Sequence, residues 1–385
     1  MSRALRLQII AFTAIRFMLN TLHRMVYPFL PVFARALGVD LGALSYALTA
    51  RSVLGVFAPL LAALSDSRGR KAGLLTGLVL FTGGLALVII WPTYPMFFAA
   101  LILAFLGKLV YDPTVQAYMG DRVPYAQRGT VIAITEISWS ISFIVGVPFA
   151  GFLIGRFGWV SPFWALVILG LASIFVIFRI IPDDHPEKVR ALDLGENLRL
   201  VAGHEPVMIG FAFALLISAA NEVINLVFGA WIEDSFGVQV LALGAASAVI
   251  GIAELGGEGL VGVLTDRLGK VNSLAIGTSL NILSALALPV LGGTLIGAFA
   301  GLFFFFLTFE FTIVSLLPLM TEIFPPARGT VMAVNFASLS LGRAVGAFLG
   351  VQFFSFGIWG SVGASVGFNL ICLGALVLLK RKSDL

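Results

Sequence analysis

Apolar residues run through this chain in long blocks, each closed by a short stretch of polar residues, glycine or proline. A helix crossing the hydrocarbon of a bilayer needs about 20 mostly apolar residues. Blocks of at least that order fall at 7–34, 41–65, 72–91, 95–119, 130–154, 161–181, 207–232, 240–264, 273–291, 296–320, 330–354 and 359–379. They predict twelve membrane-spanning helices and no strands, an all-α polytopic membrane protein. A single long polar connection interrupts the pattern at 182–206. It divides the chain into an N-terminal six-helix bundle (1–181), a linker (182–206) and a C-terminal six-helix bundle (207–385). Within the linker Val189, Leu192, Leu198 and Val201 are spaced for a short amphipathic helix, and a plain tether fits equally well.

Composition agrees with the pattern. Hydrophobic residues make up 59% and charged residues 11% of the 385 positions, where an ordinary soluble domain carries about 25% charged residues. A water-soluble enzyme is excluded. No catalytic residues are expected, and no cofactor or metal, since His, Cys and acidic residues form no ligand-spaced cluster. The formal charge of +4 is spread along the chain, which argues against a nucleic-acid partner and for membrane topology. Lys and Arg are retained on the cytoplasmic side during insertion. With both termini cytoplasmic, the basic loops around Arg68, Arg70, Lys71, Arg122, Arg128, Arg267, Lys270 and Arg328, and the tail Lys380–Lys382, all fall inside, leaving Arg35 and Arg156 outside. The first apolar block continues past Arg16 without a small-residue cleavage site and is expected to be a span rather than a signal peptide. Cys372, the one cysteine, lies in an apolar run and reads as a buried, inert thiol.

The halves carry matching punctuation at an offset of 200 residues. Leu64-Ser65-Asp66-Ser67-Arg68-Gly69-Arg70-Lys71 is answered by Leu264-Thr265-Asp266-Arg267-Leu268-Gly269-Lys270, Arg128-Gly129-Thr130-Val131 by Arg328-Gly329-Thr330-Val331, and Gly146 by Gly346. Two tandem units in the same orientation follow. Physically, an acid, a glycine turn and a base at span ends can join neighbouring helices by charge-assisted hydrogen bonds that break when the helices part. Asp66, Gly69, Arg70, Lys71, Arg128, Asp266, Arg267, Gly269, Lys270 and Arg328 are therefore the candidate conformational latch. These loops resemble the signature loop of the major facilitator superfamily. Tyr27-Pro28-Phe29-Leu30-Pro31 and Ala117-Tyr118-Met119-Gly120-Asp121 are similar to its drug/proton antiporter branch. The chain departs from that branch at Ala62 and Ser67 in the loop, at Leu101 in place of the fourth-span arginine, and in a fifth-span glycine-proline motif reduced to Pro148 and Gly151.

An ionisable group at mid-bilayer costs at least about 2.5–3.5 kcal/mol and normally faces a bundle interior or a wet cavity. Here the expected intramembrane set is Arg16, His23, Arg24, Arg51, Lys108, Asp112, Glu136, Glu222, Glu254, Glu258, Glu310 and Arg343. Spans 3, 6, 9 and 12 hold none in their interiors, the pattern of eight inner helices screened by four outer ones. Arg16, Asn20, His23 and Tyr27 recur at i, i+4, i+7 and i+11 on one stripe of span 1, with Arg24 beside it. Ser218, Asn221, Glu222 and Asn225 repeat the device in span 7. The first half is rich in cations, the second in carboxylates.

Candidate substrate-binding residues are Asn20, Arg24, Tyr27, Arg51, Asn221, Glu222, Asn225 and Glu310. Candidate proton-coupling residues are Asp112, Glu222, Glu254, Glu258 and Glu310. Lys108 and Asp112, one turn apart, also fit a structural ion pair. Arg16, near a span end, reads as a snorkelling structural residue. The resulting expectation is a monomeric secondary transporter of the cell (inner or plasma) membrane, whose partners are a small organic substrate, protons and membrane lipids. The absence of a Walker loop sets ATP aside as the direct driver. Proton-coupled export by antiport is the leading reading, with proton-coupled uptake of a charged or zwitterionic metabolite second. A lipid flippase or scramblase is the alternative of another class.

Overall fold

The computed structural model describes residues 2–58, 69–183 and 194–382. Among them every regular element is helical: α1 Arg3–Met25, α2 Leu30–Leu37, α3 Leu41–Leu54, α4 Arg70–Ile90, α5 Tyr94–Arg122, α6 Tyr125–Ile141, α7 Val147–Phe157, α8 Ser161–Ile180, α9 Leu194–Ala202, α10 Glu205–Asn225, α11 Phe228–Phe236, α12 Val240–Leu268, α13 Lys270–Leu291, α14 Leu295–Glu322, α15 Arg328–Phe354 and α16 Ile358–Lys382. Hydrocarbon offers the backbone no hydrogen-bond partner, so apolar blocks of this length satisfy their own amides as helices. Among the described residues eleven helical stretches are long and apolar enough to span a membrane, or up to twelve if a bent pair of helices counts as one. The expected multi-pass all-α membrane architecture is observed.

Span 1 is longer in sequence than one straight helix. α1 stops at Met25, a turn occupies 26–29, and α2 opens with Pro31 in its first turn. Proline has no amide hydrogen to continue a helix but suits a helix start. Span 7 breaks at the corresponding place, between α10 and α11, and both short helices end on a left-handed glycine, Gly38 and Gly237. The loop repeat is equally visible in the backbone. Gly69 (φ 90°, ψ 152°) and Gly269 (φ 81°, ψ 147°) cap α4 and α13 in one conformation, a region essentially reserved for glycine.

The chain forms two compact units: Met1–Asp40 with Phe57–Arg190 and Gln239–Ala248, and Leu41–Val56 with Ala191–Val238 and Val249–Leu385. In the first, α4 packs along α5 and α8, and α1 lies against α6 and α8. Backbones approach closely where side chains vanish: a Cβ on Gly107 would lie 2.4 Å from the Gly77 carbonyl. In the second, α10 packs on α15 and α16, α13 on α14, and α3 on α15, where Ser45 Oγ donates to the Ala347 carbonyl at 2.5 Å. Its core gathers Val207, Phe213, Ile217, Leu274, Leu316, Met320, Val331, Cys372 and Leu376. The linker is helical from Leu194, and Val201 packs into this core while Leu198 is exposed; Val189 and Leu192 lie outside the described residues.

Burial follows the expected inner and outer helices only in part, since the window of span 3 is 50% buried and that of span 4 is 33%. The most apolar window of span 7 is 72% buried and that of span 1 is 61%, whereas span 6 is 22% buried. Trp164, Ile168, Leu171, Phe175 and Phe178 of α8 turn outward, as a lipid-facing helix requires.

Candidate functional site

The first unit encloses a network of four charges. Arg16 of α1 reaches Glu136 of α6 with two parallel hydrogen bonds, Nη1 to Oε1 at 2.7 Å and Nη2 to Oε2 at 3.1 Å. Its Nε stands 3.3 Å from Asp112 Oδ1 of α5, an ionic contact without hydrogen-bond alignment. Lys108, one turn before Asp112, donates to Asp112 Oδ2 at 2.5 Å and to Asn20 Oδ1 at 2.7 Å. Asn20 Nδ2 donates in turn to Ser138 Oγ at 3.2 Å. Two cations and two carboxylates thus sum to zero, which is what an apolar surrounding demands of buried charge. Exposure is uneven: the side chains of Arg16, Lys108 and Asp112 are 7%, 13% and 20% exposed, and that of Glu136 is 43% exposed.

This arrangement revises two readings of the sequence. Arg16 does not snorkel; it is drawn inward because Asp112 and Glu136 compensate it. The Lys108–Asp112 pair forms as expected, yet Asp112 is also held by Arg16 and is part of a quartet. Glu136, Ser138 and Arg16 were not among the candidate site residues. The available signal was complementarity: the stripe Arg16–Asn20 and the pair Lys108–Asp112 both follow an i, i+4 spacing, but only contact between helices matches one with the other.

Further along α1, Arg24 is buried against α6 and the π-helical turn Ser142–Gly146 that follows it. Its guanidinium lies over Phe143 at 3.5 Å and Trp139 at 4.3 Å, and Nη1 donates to the Trp139 carbonyl at 3.2 Å. The His23 ring stacks on Phe105 at 5.4 Å and lies 5.9 Å from Trp139. Tyr27 is buried in the turn after α1.

In the second unit Asn221, Glu222 and Asn225 are buried on α10 as their spacing predicted. Asn225 Nδ2 donates to Glu222 Oε2 at 3.2 Å, and Ser218 Oγ to the Leu339 carbonyl at 2.8 Å. A Cβ on Gly346 would lie 2.6 Å from Glu222 Cβ, so α10 and α15 cross tightly beside this carboxylate. The equivalent crossing in the first unit sets Gly146 against Thr21. A second crossing puts Gly257 of α12 against Glu310 of α14, with Glu254 and Glu258 on the adjoining turns of α12. Glu254 and Glu310 are buried and Glu258 half-buried; Arg51 is buried on α3.

Of the candidate latch, Asp66 lies outside the described residues. Arg70 Nε pairs with Asp121 Oδ2 at 3.2 Å, and Lys71 Nζ with Asp183 Oδ1 at 2.7 Å. Lys270 pairs with Glu322. Arg70–Asp121 and Lys270–Glu322 are repeat equivalents, each tying the start of one helix to the end of the next. The hydrogen bond and charge of Lys71 hold Asp183, outside the spans, below the ordinary carboxylate range. Arg128 Nε donates to the Val123 carbonyl at 3.0 Å. Asp266, Gly269 and Lys270 line a cavity of about 340 Å³ with Thr265, Asn272 and Lys380, while Arg267 and Arg328 are exposed.

Spanning helices with a duplicated backbone plan and charges balanced inside an apolar bundle describe a multi-pass membrane protein. The Major Facilitator Superfamily model matches residues 12–347 and 211–384. The chain belongs to the Major Facilitator Superfamily and is a secondary transporter. Among its relatives, the uncharacterized MFS-type transporter YwfA of Bacillus subtilis is 28% identical over 84% of this chain and 80% of the relative. A chloramphenicol resistance protein of Streptomyces lividans is 24% identical over 65% of this chain and 64% of the relative. A bacterial homologue of the human lysosomal transporter Spinster, inward-facing and occupied, superposes with TM-score 0.78 at 14% identity over 100% of this chain and 98% of that chain. A D-xylose-proton symporter does so with TM-score 0.75 at 15% identity over 98% and 97%. At such identities these two structures speak for the fold alone.

Proposed function

We propose that this transporter couples movement of a small organic solute to protons, by alternating access, in the cell (inner or plasma) membrane. The observation that carries the reading is the charge quartet of Arg16, Lys108, Asp112 and Glu136. Balanced charges inside a bundle respond sharply to one added proton, because neutralising either carboxylate leaves a cation in need of a new partner. Asp112 is one proton-coupling candidate; Glu222, Glu254, Glu258 and Glu310 supply others. Asn20, Arg24, Tyr27, Arg51, Asn221, Glu222, Asn225 and Glu310 are the proposed substrate contacts. The ion pairs of Arg70, Lys71 and Lys270, with Asp66, Arg128, Asp266, Arg267 and Arg328, form the proposed latch.

Two directions of coupling part here. Export by antiport is supported by the similarity to the chloramphenicol resistance protein. Symport is favoured by the quartet itself, in which a proton and an organic anion can enter together without changing the charge. Flux into proteoliposomes under an imposed pH gradient separates them. Solute accumulating on the alkaline side marks symport, solute accumulating on the acidic side marks antiport, and flux indifferent to the gradient rejects proton coupling. Asp112→Asn, Glu222→Gln and Glu310→Gln are each expected to change the pH dependence of flux if the carboxylate titrates during the cycle. Movement of labelled lipid with no solute flux would instead identify a scramblase.

A further inference from the structure

Arg16 meets Glu136 as a guanidinium meets a free organic carboxylate, through two parallel N–H···O bonds of 2.7 and 3.1 Å. The two partners differ in access: the Glu136 side chain is 43% exposed, that of Arg16 7% exposed. Glu136 is thus the most exposed member of the quartet. The charged groups facing it are Arg16 on α1 and Lys108 and Asp112 on α5, with His23 and Arg24 about two turns further along α1. α1 and α6 advance in the same direction, since contacts run from Arg16–Glu136 to Asn20–Ser138 to Arg24–Trp139. Seven residues beyond Arg16, about 10 Å along a helix, His23 stacks on Phe105, and Trp139 and Phe143 complete an aromatic group.

We propose that Arg16 binds the carboxylate of the transported solute, that Glu136 is the internal carboxylate this solute displaces, and that the solute is a monocarboxylate whose aromatic or apolar body lies toward Phe105, Trp139 and Phe143. The proposal rests on the proton-coupled reading and names its substrate class. The exchange balances. One proton bonds to a carboxylate oxygen of Glu136, Glu136 releases the Arg16 fork as a neutral acid, and the solute carboxylate takes the fork. The quartet keeps zero net charge, with the solute replacing Glu136 as the second anion. Solute and proton therefore bind as a neutral pair.

The test is calorimetric titration of the full-length protein in lipid nanodiscs with 3-phenylpropionate, and with 3-phenylpropionamide as the uncharged counterpart, at pH 5.5 and pH 8. Wild type is expected to bind the acid at least about tenfold more tightly at pH 5.5 than at pH 8, through proton linkage, and to ignore the amide. Glu136→Gln, which keeps a side chain able to face Arg16, should bind the acid equally at both pH values and more tightly than wild type at pH 8. Arg16→Lys, retaining the charge but not the fork, should lose at least tenfold at pH 5.5. Equal binding of acid and amide, pH-independent binding by wild type, or a Glu136→Gln variant that keeps the wild-type pH dependence would each overturn the proposal. Proton-driven flux of another solute without carboxylate binding would sink this inference alone. Proton-linked carboxylate binding without proton-driven flux would sink the functional reading alone.

Discussion

At the residue scale, the same chemistry has different consequences according to what surrounds it. Glycines illustrate this. A Cβ on Gly346 would meet Glu222 Cβ at 2.6 Å and the Ala219 carbonyl at 2.8 Å, neither of which can swing away. Gly346→Ala is expected to cost about 1–3 kcal/mol, read as a lower melting temperature in detergent. Gly120, with nothing within 4 Å of its Cβ position, is the control; Gly120→Ala should leave the melting temperature unchanged or raise it, because alanine restrains the unfolded chain. Both glycines stand in helices and look alike in the sequence. Charged residues show the same dependence. Asp183 and Lys71 form an exposed pair at 2.7 Å. A carboxyl depressed in the folded state adds stability above its unfolded pKa and loses it as pH falls through the folded value. Any contribution of this pair therefore fades only in acid and is screened by salt. Asp183→Asn should leave the melting temperature at neutral pH almost unmoved.

At the element scale, the apolar blocks made the spans legible because a continuous apolar block about 20 residues long matches a helix that crosses the hydrocarbon with its own amides satisfied. What periodicity did not reveal was how polar groups on the outer helices would be used. Spans 9 and 12 carry no interior charge, yet Asn281 of α13 donates to the Phe305 carbonyl at 2.9 Å and to Thr308 Oγ1 at 3.0 Å, and Asn369 of α16 donates to Asn281 Oδ1 at 3.0 Å. All are buried, so the asparagines join α13, α14 and α16 where lipid-like packing gives little specificity. A double-mutant cycle of Asn281→Ala and Asn369→Ala should yield a coupling energy of about 0.6 kcal/mol, rising to about 1.7 kcal/mol in the best case. Additivity of the two losses would show that the bond contributes nothing. The helix starts make a second case. Gly69 and Gly269 hold φ of 90° and 81°, so Gly269→Ala is expected to strain the start of α13 by about 1–3 kcal/mol and to lower the melting temperature accordingly.

At the scale of the whole molecule, the repeat organises what the residues and helices contribute. The 200-residue offset read from the loops reappears as paired glycine caps and paired breaks in spans 1 and 7, and the ion pairs Arg70–Asp121 and Lys270–Glu322 match it to within one residue. If these pairs act as latches, Arg70→Ala and Lys270→Ala should slow solute turnover more than they weaken solute binding, since a latch touches no solute and alters affinity only through the populations of the two conformations. Loss of affinity in parallel with turnover would assign the pairs to binding instead.

Hydropathy and the duplicated loops determined the class and the repeat, because the exclusion of polar groups from hydrocarbon is a property of composition along the chain. Tertiary structure decided which charges meet. Arg16 is 120 positions from Glu136 and 96 from Asp112 in sequence, and no local rule links them. They come together because α1 packs against α5 and α6, and a buried cation is tolerated only where helix packing brings carboxylates to it.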